Sequence, residues 1–252
     1  MSLTAGIILS LLLPGNPSDD TTFQPALKKF QQDYYKLGAK DDEKIVAVKA
    51  LAQIRHEKVV RLLAPLLTEA PLPVRLMTAR ELGQFVGVDA APRELHAALK
   101  SQANSSKREA AVRIEILRGL GNLRYAAAAG DIAKLVEDKE VWVAKAAIDA
   151  AGRVRAPEAM IALIKSLRRI EAKNGDAEVS INPLDELFPE MITPPTLLRP
   201  DARQAAKRPS EREVLKAPIL VALQSITHQT WETSKDWDTW WTKRKGNFKL
   251  PE

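Results

Sequence analysis

The sequence predicts an all-α fold, an α-solenoid of stacked antiparallel helix pairs. Three features carry that expectation. Apolar residues recur at helical spacing, a small residue returns at near-regular intervals, and turns rich in proline or polar residues fall between the helical stretches. The small-residue marks are Ala52 in LAQI, Gly83 in LGQF, Gly121 in LGNL and Gly152 in AGRV. The steps between them are about 31, 38 and 31 residues, the range in which paired-helix repeats recur. The agreement extends upstream, where Val74-Arg75, Val112-Arg113 and Val143-Ala144 occupy equivalent places. Ala79 and Leu82 match Leu117 and Leu120, then Ile148 and Ala151.

Within a unit, Val74, Met77, Leu82 and Phe85 share one helical face, and Val112, Ile116, Leu120 and Leu123 share another. One helix pair cannot bury such a face alone, so successive pairs must stack into a continuous core. Gly83, Gly121 and Gly152 suit either a close approach of two helices or a left-handed helix end.

Residues 1–20 form an apolar segment and linker. Residues 3–13 (LTAGIILSLLL) are shorter than the run of about 20 that spans a bilayer, so no stable membrane insertion is expected. The run has the size of a signal-peptide core, although no Lys or Arg precedes it. Export to the periplasm is therefore expected over a cytoplasmic location, and a helix capping the solenoid is the alternative.

Residues 21–172 carry the helical repeats. Pro25 suits the first turn of a helix over 23–37, with Phe30 and Tyr34 on one face. Pro65 is expected to bend the helix that begins near Lys58, and Ser105 or Ser106 to cap the helix over 108–123. Residues 173–209 break the rhythm with six prolines. The spacing from Gly152 to its nearest counterpart, Gln224, is about 72 residues, or two repeats' worth. The stretch 175–190 holds Asp176, Glu178, Asp185, Glu186 and Glu190 without a Lys or Arg. Apolar Ile181, Leu184 and Leu187 suggest that part of the insertion docks on the body, as a crossover loop or as a loop over the groove. Residues 210–252 hold a last repeat and a tryptophan-rich tail. Trp237, Trp240 and Trp241 share a helical face, Asp236 or Ser234 would cap that helix, and together with Trp231 they are expected to close the open end of the core. An aromatic ligand platform is the alternative role.

The segment Leu66-Leu67-Thr68-Glu69, followed by Pro73-Val74-Arg75, Ala79 and Leu82-Gly83, resembles the HEAT repeat family in its short bacterial form. The resemblance implies an acidic turn residue at Glu69 and an arginine at Arg75, which pair between neighbouring repeats. Asp138 keeps the acid where Ala144 replaces the arginine, and Arg113 keeps the arginine where Lys107 replaces the acid, so a discontinuous ladder is expected. The tail, with Thr227, Asp236 and W-x-x-W-W, is similar to the ending of several bacterial HEAT-repeat proteins, with His228 in place of their glycine.

No phosphate-loop, dinucleotide-binding or nucleophile-elbow motif occurs. The chain has no cysteine, which removes thiol catalysis, disulfides and thiolate metal sites. His56-Glu57 is similar to the metal-binding dyads of HEAT-repeat deoxyhypusine hydroxylases, yet His96 and His228 lack the following glutamate. No metal or cofactor is expected.

The expected function is a non-enzymatic scaffold binding an unknown protein or peptide on the concave face, which second helices line in this family. Arg75, Arg80, Arg113, Arg118 and Arg155 are the candidate partner-binding residues. The net charge of +6 allows acidic partners without demanding them. The alternative is nucleic-acid binding, or activity like that of the HEAT-like DNA glycosylases. It would need those arginines with Lys107, Arg108, Lys145 and Arg153 in one stripe, and Trp142 and Asp149 in the groove. Interleaved Glu81, Glu109, Glu115 and Asp149 argue against it. Fold analogy to phycobilin lyases finds no supporting residue.

Overall fold

A computed structural model describes residues 20–172, 177–187 and 208–251; the apolar run at 3–13 and the rest of the insertion lie outside them. The described residues are mostly helical and contain no β-strand, only an isolated antiparallel bridge between Glu178 and Ser210. In chain order the helices are α1 (Asp20–Tyr34), α2 (Asp41–Ala52), α3 (Glu57–Leu63), α4 (Leu66–Glu69), α5 (Leu72–Leu82), α6 (Ala90–Lys100) and α7 (Ala110–Asn122). They continue as α8 (Ala129–Leu135), α9 (Val141–Val154), α10 (Met160–Glu171), α11 (Pro183–Leu187), α12 (Glu211–Thr227) and α13 (Ser234–Arg244).

Local chemistry sets the boundaries. Pro65 lacks an amide proton and separates α3 from α4. Pro73 sits in the first turn of α5, where a missing donor costs nothing. Ser106 accepts from the Arg108 amide ahead of α7, while Ser105 bonds back to the Gln102 carbonyl. Ser210 and Glu213 form a reciprocal cap on α12. The cap of α13 is Thr233, not Asp236 or Ser234. Its hydroxyl accepts from the Asp236 amide, because the helix begins at Ser234, earlier than either of those caps requires.

The helices pair as α1 with α2, α3–α4 with α5, α6 with α7, α8 with α9, and α10 with α12. The second helices α2, α5, α7, α9 and α12 lie side by side in that order, each against the one before and the one after. The first helices form the other layer, which α13 extends by packing on α10. The progression is linear, as an α-solenoid requires. Val74, Met77, Leu82, Phe85, Val112, Ile116 and Leu120 are all buried along this shared spine.

The small-residue marks serve close approach. Gly83 has an ordinary right-handed φ of −63°, and a Cβ there would sit 2.7 Å from the Gly119 Cα. A Cβ on Gly121 would come within 3.1 Å of the Ala150 Cα, and one on Gly152 within 3.0 Å of the Ala222 Cα. That last contact corrects the repeat arithmetic. α9 abuts α12 directly, so the 72-residue interval is one repeat whose two helices, α10 and α12, are joined by the insertion.

Polar rungs tie successive repeats. Arg75 donates to the Ala103 carbonyl at 2.8 Å, to Asn104 Oδ1 at 3.0 Å and to Glu109 at 3.2 Å. Arg113 pairs with Asp138 at 3.0 Å. Each arginine thus reaches a polar turn of the following repeat, with Glu109 supplying the acid where Lys107 stood in the predicted position. The Ser106 hydroxyl, and then Arg75, hold Glu109 below the usual carboxylate range. No rung follows at Ala144, so the ladder stops there. In the first-helix layer, His96 on α6 meets Asp131 on α8 at 2.8 Å.

Candidate functional site

The second-helix layer divides by how its charge is compensated. Arg75 and Arg113 are largely buried in the rungs just described. Arg80 on α5 and Arg118 on α7 converge on one buried carboxylate, Glu115, at 3.1 and 2.8 Å. Four of the five arginines proposed from sequence therefore have acidic partners inside the fold.

Part of the insertion lies across this layer as a strap. The Trp142 indole on α9 donates to the Ser180 carbonyl at 2.8 Å, α11 rests on α7, and Val179 and Leu184 are buried while Ile181 is exposed. The strap is anchored near α12 by bonds from the Val179 amide to the Pro209 carbonyl and from the Glu211 amide to the Ala177 carbonyl, both 2.9 Å. Burial pushes the Asp185 carboxyl above its ordinary range, and the charge of Arg118 draws it partly back.

The raised value gives a testable sign. Ionised Asp185 opposes docking, with no penalty below the ordinary Asp pKa of about 3.9 and the full penalty above the raised value. Asp185→Asn is therefore expected to hold the strap more tightly at neutral pH, seen as slower amide exchange across 177–187. Faster exchange in the variant would mean that attraction to Arg118 outweighs burial.

Beyond the strap, the C-terminal ends of α9 and α12 border a cleft of about 570 Å³. Its walls bring together Arg124, Arg153, Arg155 and His228 with Ile148, Pro218 and Val221. Arg124, Arg155 and His228 adopt left-handed backbone with φ of 50°, 57° and 57°, a conformation that more often falls to glycine. These three residues end or follow α7, α9 and α12, so each second helix of the last repeats turns off through a basic residue or a histidine.

Among the described residues, the bonded partners of Arg153 and Arg155 are neutral. Arg153 bonds the Asn122 side-chain oxygen. Arg155 bonds the carbonyls of Ser225 and Pro251, and approaches His228 Nε2 at 3.3 Å. Among the described residues, the acid in the cleft wall is Asp149, held by Lys145 at 2.8 Å. Of the five candidate partner-binding arginines, Arg155 alone lines this cleft; Arg153 and Asp149, weighed for the nucleic-acid alternative, line it too, and Arg124 had not been singled out.

A family model described as HEAT repeats matches residues 97–173, from the end of α6 through α10. The matched residues carry HEAT repeats, about a third of the chain. No curated protein matches it.

Beyond α10 the chain gathers three of its tryptophans in α13, which packs on α10. Trp237 is fully buried and its indole donates to the Trp231 carbonyl at 2.9 Å. Trp240 and Trp241 pack partly buried with Phe248, whose ring centroid lies 5.2 Å from that of Trp241. Trp231 is 41% exposed, more open than the other three. Glu171 of α10 accepts from the Ser234 amide and hydroxyl, fastening α13 to the last helix pair.

The two residues weighed for base-repair chemistry are both engaged, Trp142 by Ser180 and Asp149 by Lys145. His56 caps α3 through its ring nitrogen, which accepts from the Lys58 amide, and Glu57 pairs with Arg61. Among the described residues no three histidine or acidic side chains gather as a metal set, and no helix is long and apolar enough to cross a membrane.

Proposed function

We propose that this HEAT-repeat protein is a non-enzymatic scaffold that docks a partner protein or peptide along its second-helix layer, the concave side of such stacks. HEAT repeats commonly act as protein-interaction scaffolds, and a stiff row of second helices offers a long surface of fixed shape. The observation that carries this reading is the split in charge on that layer. Arg75, Arg80, Arg113 and Arg118 face acids of the chain itself, whereas the terminal cleft keeps arginines with neutral partners. A nucleic-acid partner is less favoured, because intramolecular pairing interrupts the cationic stripe that a phosphate backbone would follow.

The test uses photo-crosslinking side chains placed in the full-length protein in its native host. Val46 on α2 and Val221 on α12 are exposed second-helix positions, and Ile161 on α10 is an exposed first-helix position. Specific adducts are expected from Val46 or Val221 and not from Ile161. Adducts confined to Ile161, or none at any position, would sink the scaffold reading. A retarded DNA duplex at about 50 mM salt would favour the nucleic-acid alternative instead.

A further inference from the structure

We infer that the cleft at the C-terminal ends of α9 and α12 seats an acidic peptide segment, with carboxylates on its arginines and an apolar side chain on its floor. The inference rests on the scaffold reading and names the class of partner.

Charge balance is the first argument. Helix C-termini attract cations, and that alone accounts for a basic residue at each one. Each terminus carries only about half a negative charge, so the ends of α7, α9 and α12 together offset roughly half of three guanidinium groups. Asp149 adds little, because Lys145 holds it. Arg124 and Arg153 are exposed, and the bonds made by Arg153 and Arg155 go to an amide, carbonyls and an imidazole. Among the described residues, an anion entering the cleft thus meets a positive balance and guanidinium forks, whose planar donors match a carboxylate.

The walls supply the second argument. Ile148, Pro218, Val221 and Ala222 give the cleft an apolar side, and Val221 is 61% exposed. A bare polyanion has no use for that surface, whereas a segment alternating acidic and apolar side chains fills both parts. Recognition of acidic motifs by clustered arginines is a recurrent mode of peptide binding. The strap contacts α9 near Trp142, in its first turn, while the cleft uses the other end from Ile148 onward. An occupant therefore fits without moving the described part of the strap.

The experiment measures anisotropy of a labelled peptide of about ten residues, with Glu and Asp flanking a leucine, against the full-length protein. Its counterpart carries Gln and Asn at the acidic positions. The variant Arg124→Glu/Arg153→Glu alters the exposed pair, with circular dichroism confirming the fold. The variant Lys28→Glu/Lys49→Glu makes the same charge change on α1 and α2 as a control. The acidic peptide is expected to bind, to weaken at least about tenfold in the cleft variant, and to keep its affinity in the control.

Equal loss in both variants would reduce the effect to net charge and overturn the site. So would binding unchanged by the cleft variant, or absence of binding. Full displacement by inorganic phosphate, with no preference for the acidic peptide over its amide counterpart, would make the cleft a small-anion site and overturn the peptide assignment. If the peptide fails while Val46 or Val221 still yields adducts, the cleft assignment falls and the scaffold reading stands.

Discussion

Gly83→Val is expected to destabilise the protein by on the order of 3 kcal/mol, the upper part of the usual range for overpacking a tight contact. The reason is the 2.7 Å separation between a Cβ at Gly83 and the Cα of Gly119. The obstruction is backbone, so no side chain can rotate out of the way, and α5 and α7 must separate. Separation also strips contact from Leu82, Leu117 and Leu120, which are fully buried near the crossing. Gly130→Ala is the matched control. A Cβ there meets nothing within 4 Å, and α8 gains helix propensity worth up to about 1 kcal/mol. Denaturant unfolding of the two variants gives both signs. A Gly83→Val protein as stable as the parent would show that the two helices are not pressed together.

That crossing shows what the sequence made legible. The recurring small residue, the buried face from Val74 to Phe85 and the stacked pairs all follow from periodicity, because a repeat needs the same close contact in each unit. The partner of each contact was not legible. Gly83 meets Gly119, two residues before the equivalent mark at Gly121, because neighbouring helices touch at positions set by their crossing rather than by repeat numbering. The arginine ladder was half legible for the same reason. Arg75 and Arg113 stood out, but their acids lie 34 and 25 residues onward across loops of different length.

The cleft was harder still. Its walls come from Arg124, from 148–155 and from 218–228, and the last two are brought together only because α9 and α12 are neighbours across the insertion. A usable signal was present in outline. Arg124, Arg155 and His228 each follow the apolar run of a second helix closely, and no acidic residue stands beside any of them in sequence. The insertion at 173–209 interrupts the periodicity that would show that these ends meet.

Trp237→Ala is expected to cost about 3–5 kcal/mol, the range for removing a fully buried aromatic ring. Its effect should be local. In a one-dimensional stack each repeat depends on its neighbours, so damage at one end frays that end before it reaches the other. The indole fills the junction of α13 with α10 and holds the Trp231 carbonyl, while Glu171 grips the start of α13 at Ser234. Losing the ring weakens all of these together and opens the apolar end of the last pair to water. Amide exchange should therefore accelerate across α13, α10 and α12, while α2 and α5 keep most of their protection. Trp231→Ala, at a ring that is 41% exposed and whose bonded group is main chain, should cost less than about 1 kcal/mol. Exchange that rose uniformly along the chain in Trp237→Ala would make the ring part of a single cooperative core, and slow exchange confined to α13 would remove its role in protecting the end of the stack.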